Sequence, residues 1–319
     1  MKFPGYIDLQ VNGFAGIDFS SPDLEEEQFA QACNMIINKG TAAFLPTIIT
    51  SPTDTFERNL RIMSGILRDP DLNVHIPGLH IEGPFLSEID GARGAHNRKW
   101  IRKPDKKLLD SLMRWADGQI KLMTMAADVE EADELCRHAV ALGITVSLGH
   151  HLATEDDLKR MADAGATALT HLGNGLPAQI DRHRNPIWAG LANDDLTAML
   201  IADGHHLPYS VLKTMIRSKG PDRICLVSDA SPVAGLPPGK YHALGNEIAL
   251  DKNGKLYNPE TGYLVGSSFT MVECADFMRS SGLLNDKDLE KAYYHKPLQL
   301  IGVDPKKFSA ALNRKLNMV

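Results

Sequence analysis

Ionisable and amide side chains recur at the downstream ends of short apolar runs: Asp8, Gln10 and Asn12, then His80 and Glu82, His150, His171 and Asn174, Asp203 and His206, and finally Asp229. One carboxylate and two imidazoles drawn from three such ends can hold a divalent cation such as Zn²⁺ and leave one coordination position for water. An Asp at the last end could take a proton from that water and hand it to a leaving group. Each residue also has a plainer use. A single strand-end His is more often a hydrogen-bonded structural residue, Asp229 could cap a helix, and Glu82 ahead of Gly83-Pro84 could be a turn carboxylate. His75 and His138 have no comparable placement. It is the joint pattern that points to metal-assisted hydrolysis.

Such residues can act together only if the elements bearing them converge. Eight runs read as strands: Tyr6–Val11, Ala43–Ile49, Pro77–Ile81, Ile120–Met125, Thr145–Leu148, Ala168–His171, Ala198–Ala202 and Ile224–Ser228. Most are continuously apolar, as expected where both faces of a parallel sheet are covered. The segments between them have helical spacing, with Phe56, Leu60, Met63 and Leu67 on one face and Ala132, Leu135, Cys136, Ala139 and Leu142 on another. Ser51-Pro52-Thr53 and Gly143 supply a start and a stop. Eight strands with about seven crossover segments in one chain of this length predict a closed (β/α)8 TIM barrel, whose strand ends meet at one mouth. The rival is an open doubly wound sheet, but no Gly-rich phosphate fingerprint follows a strand. The whole of 1–319 therefore reads as one barrel domain. A long loop, Leu86–Lys103, carries Arg93, His96, Asn97 and Arg98 and belongs at the mouth. A Gly- and Pro-rich insertion at about 234–266 reads as a β-hairpin, with Glu247–Leu250 and Leu256–Tyr257 joined through an Asn253-Gly254 turn.

Composition limits the partners. The 319 residues are 43% apolar and 23% charged, with a net charge of −6, so no basic surface for nucleic acid is expected. No run approaches the roughly 20 apolar residues of a membrane span, and the amino-terminal MKFPGYIDLQ lacks the apolar core of a signal peptide. Cys33, Cys136, Cys225 and Cys274 form no CxxC pair and read as reduced residues of a cytoplasmic protein.

Gly78-Leu79-His80-Ile81-Glu82-Gly83-Pro84-Phe85 closely resembles the strand signature of the N-acetylglucosamine-6-phosphate deacetylases of the amidohydrolase superfamily. Further blocks follow in the family's order: Gly5-Tyr6-Ile7-Asp8, Gly94-Ala95-His96-Asn97, Leu148-Gly149-His150, Thr170-His171-Leu172, Ile201-Ala202-Asp203-Gly204, Ser228-Asp229-Ala230 and Gly266-Ser267-Ser268. The likeness runs from about Pro4 to Val303. It implies that Glu82, His150 and His171 bind the metal, with His151 a bystander. Asp229 would be general base and then general acid, His96 would polarise the acetamide carbonyl, and His206 would contact the sugar. The implied reaction is deacetylation of an N-acetylated amino sugar, with N-acetylglucosamine 6-phosphate as the leading substrate.

Three departures bear on these expectations. Many amidohydrolases carry His-x-His on the first strand, where this chain has Gln10 and Asn12, so one metal per chain is expected. Zn²⁺ leads, with Fe²⁺, Mn²⁺ and Co²⁺ as alternatives. The loop His171-Leu172-Gly173-Asn174-Gly175-Leu176 has glycines where the family is bulkier, leaving Asn174 and Gly175 as substrate-binding candidates. Arg182 and Arg184 are both candidates for the family's phosphate-binding arginine. The family's small β-sandwich reads as absent or vestigial, and a homodimer is one way to cover the surface it would leave. The alternatives to this function are a sibling amidohydrolase acting on another N-acyl sugar or a cyclic amide, and an inactive barrel that binds a sugar phosphate.

Overall fold

A computed structural model describes residues 5–316 of the chain. The segments 1–4 and 317–319, which include the start of the amino-terminal reading above and the chain end, lie outside the described residues. Eight strands form one sheet: β1 Tyr6–Val11, β2 Thr41–Ile49, β3 Leu79–Glu82, β4 Ile120–Met125, β5 Thr145–Leu148, β6 Ala168–Leu169, β7 Thr197–Ile201 and β8 Ile224–Val227. Each lies beside its neighbour in sequence, and every pair is parallel. The ring closes between β8 and β1. There Val11 bridges Ala230, and the buried Asp8 carboxylate accepts hydrogen bonds from the Ser228 hydroxyl and backbone N–H. This is the TIM barrel that the alternation predicts.

Helices alternate with the strands: α1 Glu26–Asn38, α2 Thr53–Ile66, α3 Lys106–Trp115, α4 Ala132–Ala141, α5 Glu155–Asp163, α6 Pro186–Ala192, α7 Tyr209–Lys219 and α8 Met271–Ser281. Their apolar faces are those the spacing gives: Phe56, Leu60 and Met63 are buried, as are Ala132, Leu135, Cys136 and Ala139. At the end away from the mouth, Tyr294, Leu298, Ile301, Phe308 and Leu312 share one apolar cluster with Ile7, Leu9, Leu122 and Cys225. The C-terminal segments thus plug the barrel floor. Above this layer runs a buried polar belt, in which Thr47 meets His80, His80 meets Thr124, Thr124 meets Thr170, and Thr170 meets Ser147. His80, a strand-end candidate by sequence, is committed here with both ring nitrogens paired.

The boundaries differ from the sequence reading where the chain turns at the mouth. β6 stops at Leu169 rather than His171, and β8 at Val227 rather than Ser228. His171 and Asp229 adopt positive φ angles of 31° and 53°, which strand pairing cannot accommodate. β3 begins at Leu79 because Pro77 has no N–H and Gly78 is the residue that enters the strand. The insertion holds one strand more than the two read from sequence: β9 Gly239–Ala243 pairs with β10 Asn246–Leu250, which pairs with β11 Leu256–Tyr257, both antiparallel.

Candidate active site

Glu82 ends β3, His150 follows β5 and His171 follows β6, so barrel closure brings together residues separated by up to 89 positions. Their ligating atoms form one tight group. Glu82 Oε1 lies 3.1 Å from His150 Nε2 and 3.0 Å from His171 Nε2, and the two imidazole nitrogens are 3.1 Å apart. All three residues are buried. His150 Nδ1 lies 2.9 Å from the Ala92 carbonyl, which fixes its proton there and leaves Nε2 as a lone pair. Two imidazole nitrogens and a carboxylate oxygen converging at about 3 Å form a donor set suited to a divalent cation. Burial alone would raise the Glu82 pKa, but the neighbouring imidazoles of His150 and His171 hold it well below the ordinary carboxylate value.

Gln10 and Asn12 stand beside this group. Gln10 Nε2 donates to Glu82 Oε1 at 3.0 Å, and Asn12 Nδ2 donates to Asp229 Oδ1 at 2.7 Å. Their amide nitrogens orient the two carboxylates, while Gln10 Oε1 and Asn12 Oδ1 are buried without a protein partner. Asp229 is itself buried, and its pKa is pushed up to about 7, first by burial and then by the negative charge of Glu82. A group that titrates near neutrality is suited to accept and return a proton.

His96, on the long loop after β3, reaches the same centre. Its Nε2 is 3.2 Å from His150 Nε2, while its Nδ1 accepts the Thr50 N–H at 3.4 Å and meets the Thr50 hydroxyl at 2.9 Å. Burial, reinforced by His150, lowers its pKa to about 3, so the ring is neutral. With Nδ1 accepting, the proton belongs on Nε2 at the centre. His206 is oriented by Asp203, whose carboxylate accepts from His206 Nδ1 at 2.7 Å and from the Ser267 hydroxyl at 2.8 Å. Against the effect of burial, the hydrogen bonds and charge of His206 and the His205 backbone N–H hold the Asp203 pKa below the ordinary range.

A cavity of about 280 Å³ opens over the cluster and is lined by Glu82, His96, His150, His171, Asn174, Gly175, His206 and Asp229. Of the residues given a catalytic, metal-binding or substrate-binding role above, all but two line this cavity. Arg182 and Arg184 are exposed on the 181–185 turn and do not line the cavity. That turn is organised by Asp181, which accepts the N–H groups of His183 and Arg184, and by Asn185, which caps α6. His151 is buried beside the cluster, its Nδ1 accepting the Ala153 N–H, in keeping with a bystander role. Sequence reasoning missed Ile49, Leu244 and Tyr263 in the cavity wall. An apolar residue at the end of an apolar strand, and one at a hairpin tip, carry no chemical signal.

A family model described as "Amidohydrolase family" matches residues 1–300. N-acetylglucosamine-6-phosphate deacetylase of Bos taurus is 32% identical over 316 residues, covering 95% of this chain and 75% of its own length. N-acetylgalactosamine-6-phosphate deacetylase of Escherichia coli O157:H7 is 28% identical over 304 residues, covering 94% and 78%. In three dimensions the chain is similar to a mutant N-acetyl-D-glucosamine-6-phosphate deacetylase of Mycobacterium smegmatis in complex with N-acetyl-D-glucosamine-6-phosphate. The TM-score is 0.85 at 25% identity, covering 94% of this chain and 78% of that one.

Proposed function

We infer that this chain, which belongs to the amidohydrolase family and within it to the N-acetylglucosamine-6-phosphate deacetylases, hydrolyses the acetamide of an N-acetylated amino sugar to the free amine and acetate. The observation that carries this reading is the buried acceptor cluster of Glu82, His150 and His171, which shares one cavity with Asp229.

A divalent cation held by these three residues would supply Lewis acidity to the acetamide carbonyl and to the attacking water. The remaining work belongs to the chain. Asp229, with Oδ1 fixed by Asn12, has Oδ2 available to accept a proton from water as it attacks the amide carbon. The same carboxyl then protonates the departing nitrogen, which an amine requires in order to leave. The positive charge of a cation would draw Asp229 toward its ionised form, the form that accepts the first proton. Nε2–H of His96 faces the centre and can donate to the carbonyl oxygen as negative charge develops there. His206, held by Asp203, and Asn174 would contact the sugar.

Zn²⁺ is the cation we propose, one per chain, since Gln10 and Asn12 direct their amide nitrogens to Glu82 and Asp229 and are weak ligands beside imidazole. Four buried, unpaired cysteines support a reducing compartment such as the cytoplasm. Among the described residues, no helix is long and apolar enough to cross a membrane. The relatives' names favour a 6-phosphorylated sugar. One observation favours a second reading, an unphosphorylated N-acetylhexosamine: no Lys or Arg lines the cavity among the described residues. The test is acetate release from N-acetylglucosamine 6-phosphate, its galacto epimer and both unphosphorylated sugars, with bound metal measured in parallel. Release from a phosphorylated sugar is expected. Release from the unphosphorylated sugars alone selects the second reading, and no release by metal-loaded protein refutes deacetylation.

A further inference from the structure

We propose that Leu244, together with Ile49, forms the wall that restricts this enzyme to short acyl groups. The proposal rests on the deacetylase reading and deepens it by naming what sets acyl-chain length. Ile49 and Leu244 line the catalytic cavity and also a second cavity of about 560 Å³, where Asp18, Ser20, Thr50 and Trp100 stand. They are the only residues common to the two linings among the described residues. Without the Leu244 side chain, the catalytic cavity would open into roughly twice its own volume.

The orientation of the substrate follows from the residues already described. His206 and Asn174 belong to the β6–β7 side of the mouth, and Asp229 follows β8. His96 lies across from them, against Thr50 at the end of β2. A trans acetamide sets its methyl group anti to the sugar carbon on nitrogen, so a sugar held on the β6–β7 side directs the methyl across the mouth toward the end of β2, where Ile49 and Leu244 stand.

The placement of Leu244 runs against local preference. Leu244-Gly245 is a two-residue hairpin turn between β9 and β10, with φ of 52° and 69°. Turns of this kind favour Asn or Gly at both positions, so a branched apolar side chain is a poor choice there. Three polar contacts hold the tip in place. The Leu244 N–H donates to Asp18 Oδ2 at 2.9 Å, and Asn246 Nδ2 donates to the carbonyls of Leu244 and Ala95. The side chain packs with Ala95 against the apolar cluster under the hairpin.

The experiment compares kcat/KM on N-formyl, N-acetyl, N-propionyl and N-butyryl glucosamine 6-phosphate for the wild type, Leu244→Gly and Leu244→Phe. Glycine suits φ of 52°, so the first variant keeps the turn, and circular dichroism checks that it does. Wild type should lose roughly a hundredfold from N-acetyl to N-butyryl. Leu244→Gly should shrink that ratio at least about tenfold, and Leu244→Phe should shift preference toward the formyl substrate. A folded Leu244→Gly enzyme that releases acetate with the wild-type acyl ratio overturns the wall and leaves the deacetylase reading standing. A wild type inert on all four substrates and on their unphosphorylated counterparts overturns that reading and the wall with it.

Discussion

Gly175→Ala should weaken the metal site without replacing a ligand. A Cβ built on Gly175 would lie 2.8 Å from His150 Nδ1, 3.1 Å from Cε1 and 3.4 Å from the Ala92 carbonyl oxygen. Ordinary carbon–nitrogen contact begins at about 3.4 Å, so the ring must retreat by roughly half an ångström. Metal–ligand distances tolerate about 0.2 Å. The same displacement breaks the 2.9 Å contact from His150 Nδ1 to Ala92, which fixes the tautomer. Loss of such a supporting hydrogen bond typically costs about 10- to 100-fold in metal affinity. A separate cost falls on stability, since Gly175 has φ of 62°, and alanine there loses about 1 kcal/mol. Gly94→Ala, whose Cβ would sit 3.0 Å from His150 Cε1, should show the same defect in milder form. The assay is Zn²⁺ retention against a competing chelator, read by elemental analysis, with thermal melting recorded alongside. A folded Gly175→Ala protein that binds Zn²⁺ within twofold of wild type would refute the packing argument, and with it the assignment of His150 as a ligand held by its Nδ1 contact.

Two further outcomes are expected. Asp229→Asn should keep its metal and lose about 10²- to 10⁴-fold in kcat, since the amide cannot shuttle the proton; a variant within tenfold of wild type would remove Asp229 from that role. At the barrel seam, burial raises the pKa of Asp8 from 3.8 to about 7. The folded state therefore holds a proton that the unfolded chain releases, and the stability this contributes is full below about pH 4 and lost as pH rises through about 7. The gap corresponds to on the order of 4 kcal/mol. Asp8→Asn should flatten the fall in melting temperature across that window, and an unchanged slope would place the titration elsewhere.

The barrel was legible because most strands are short apolar runs leading into a polar residue, and because helical periodicity fills the intervals. The candidate metal cluster was legible for a related reason: a carboxylate and two imidazoles at strand ends have few structural uses in common. What sequence could not supply depends on distance in space. His80 resembles Glu82 in position, yet two residues earlier on the same strand it belongs to the hydroxyl belt of Thr47, Thr124 and Thr170. Arg182 and Arg184 carry the right chemistry, but the Asp181 turn leaves them outside the cavity. Strand β9 escaped notice because its residues are largely exposed and do not alternate clearly, although β10 and the Asn253-Gly254 turn stood out.

Three residues at the mouth, His150, His171 and Asp229, have left-handed backbones, with φ of 55°, 31° and 53°. An L-residue in that conformation is disfavoured by roughly 1–2 kcal/mol, so the frame is built against the three side chains that give it a use. Glycine at any of these positions would relax the backbone. Selection for thermal resistance alone, with no demand on turnover, would therefore drift toward Gly at these positions and erase the centre before it disturbed the fold. Conversely, a barrel of this shape that keeps all three under such selection records a continuing requirement for the chemistry.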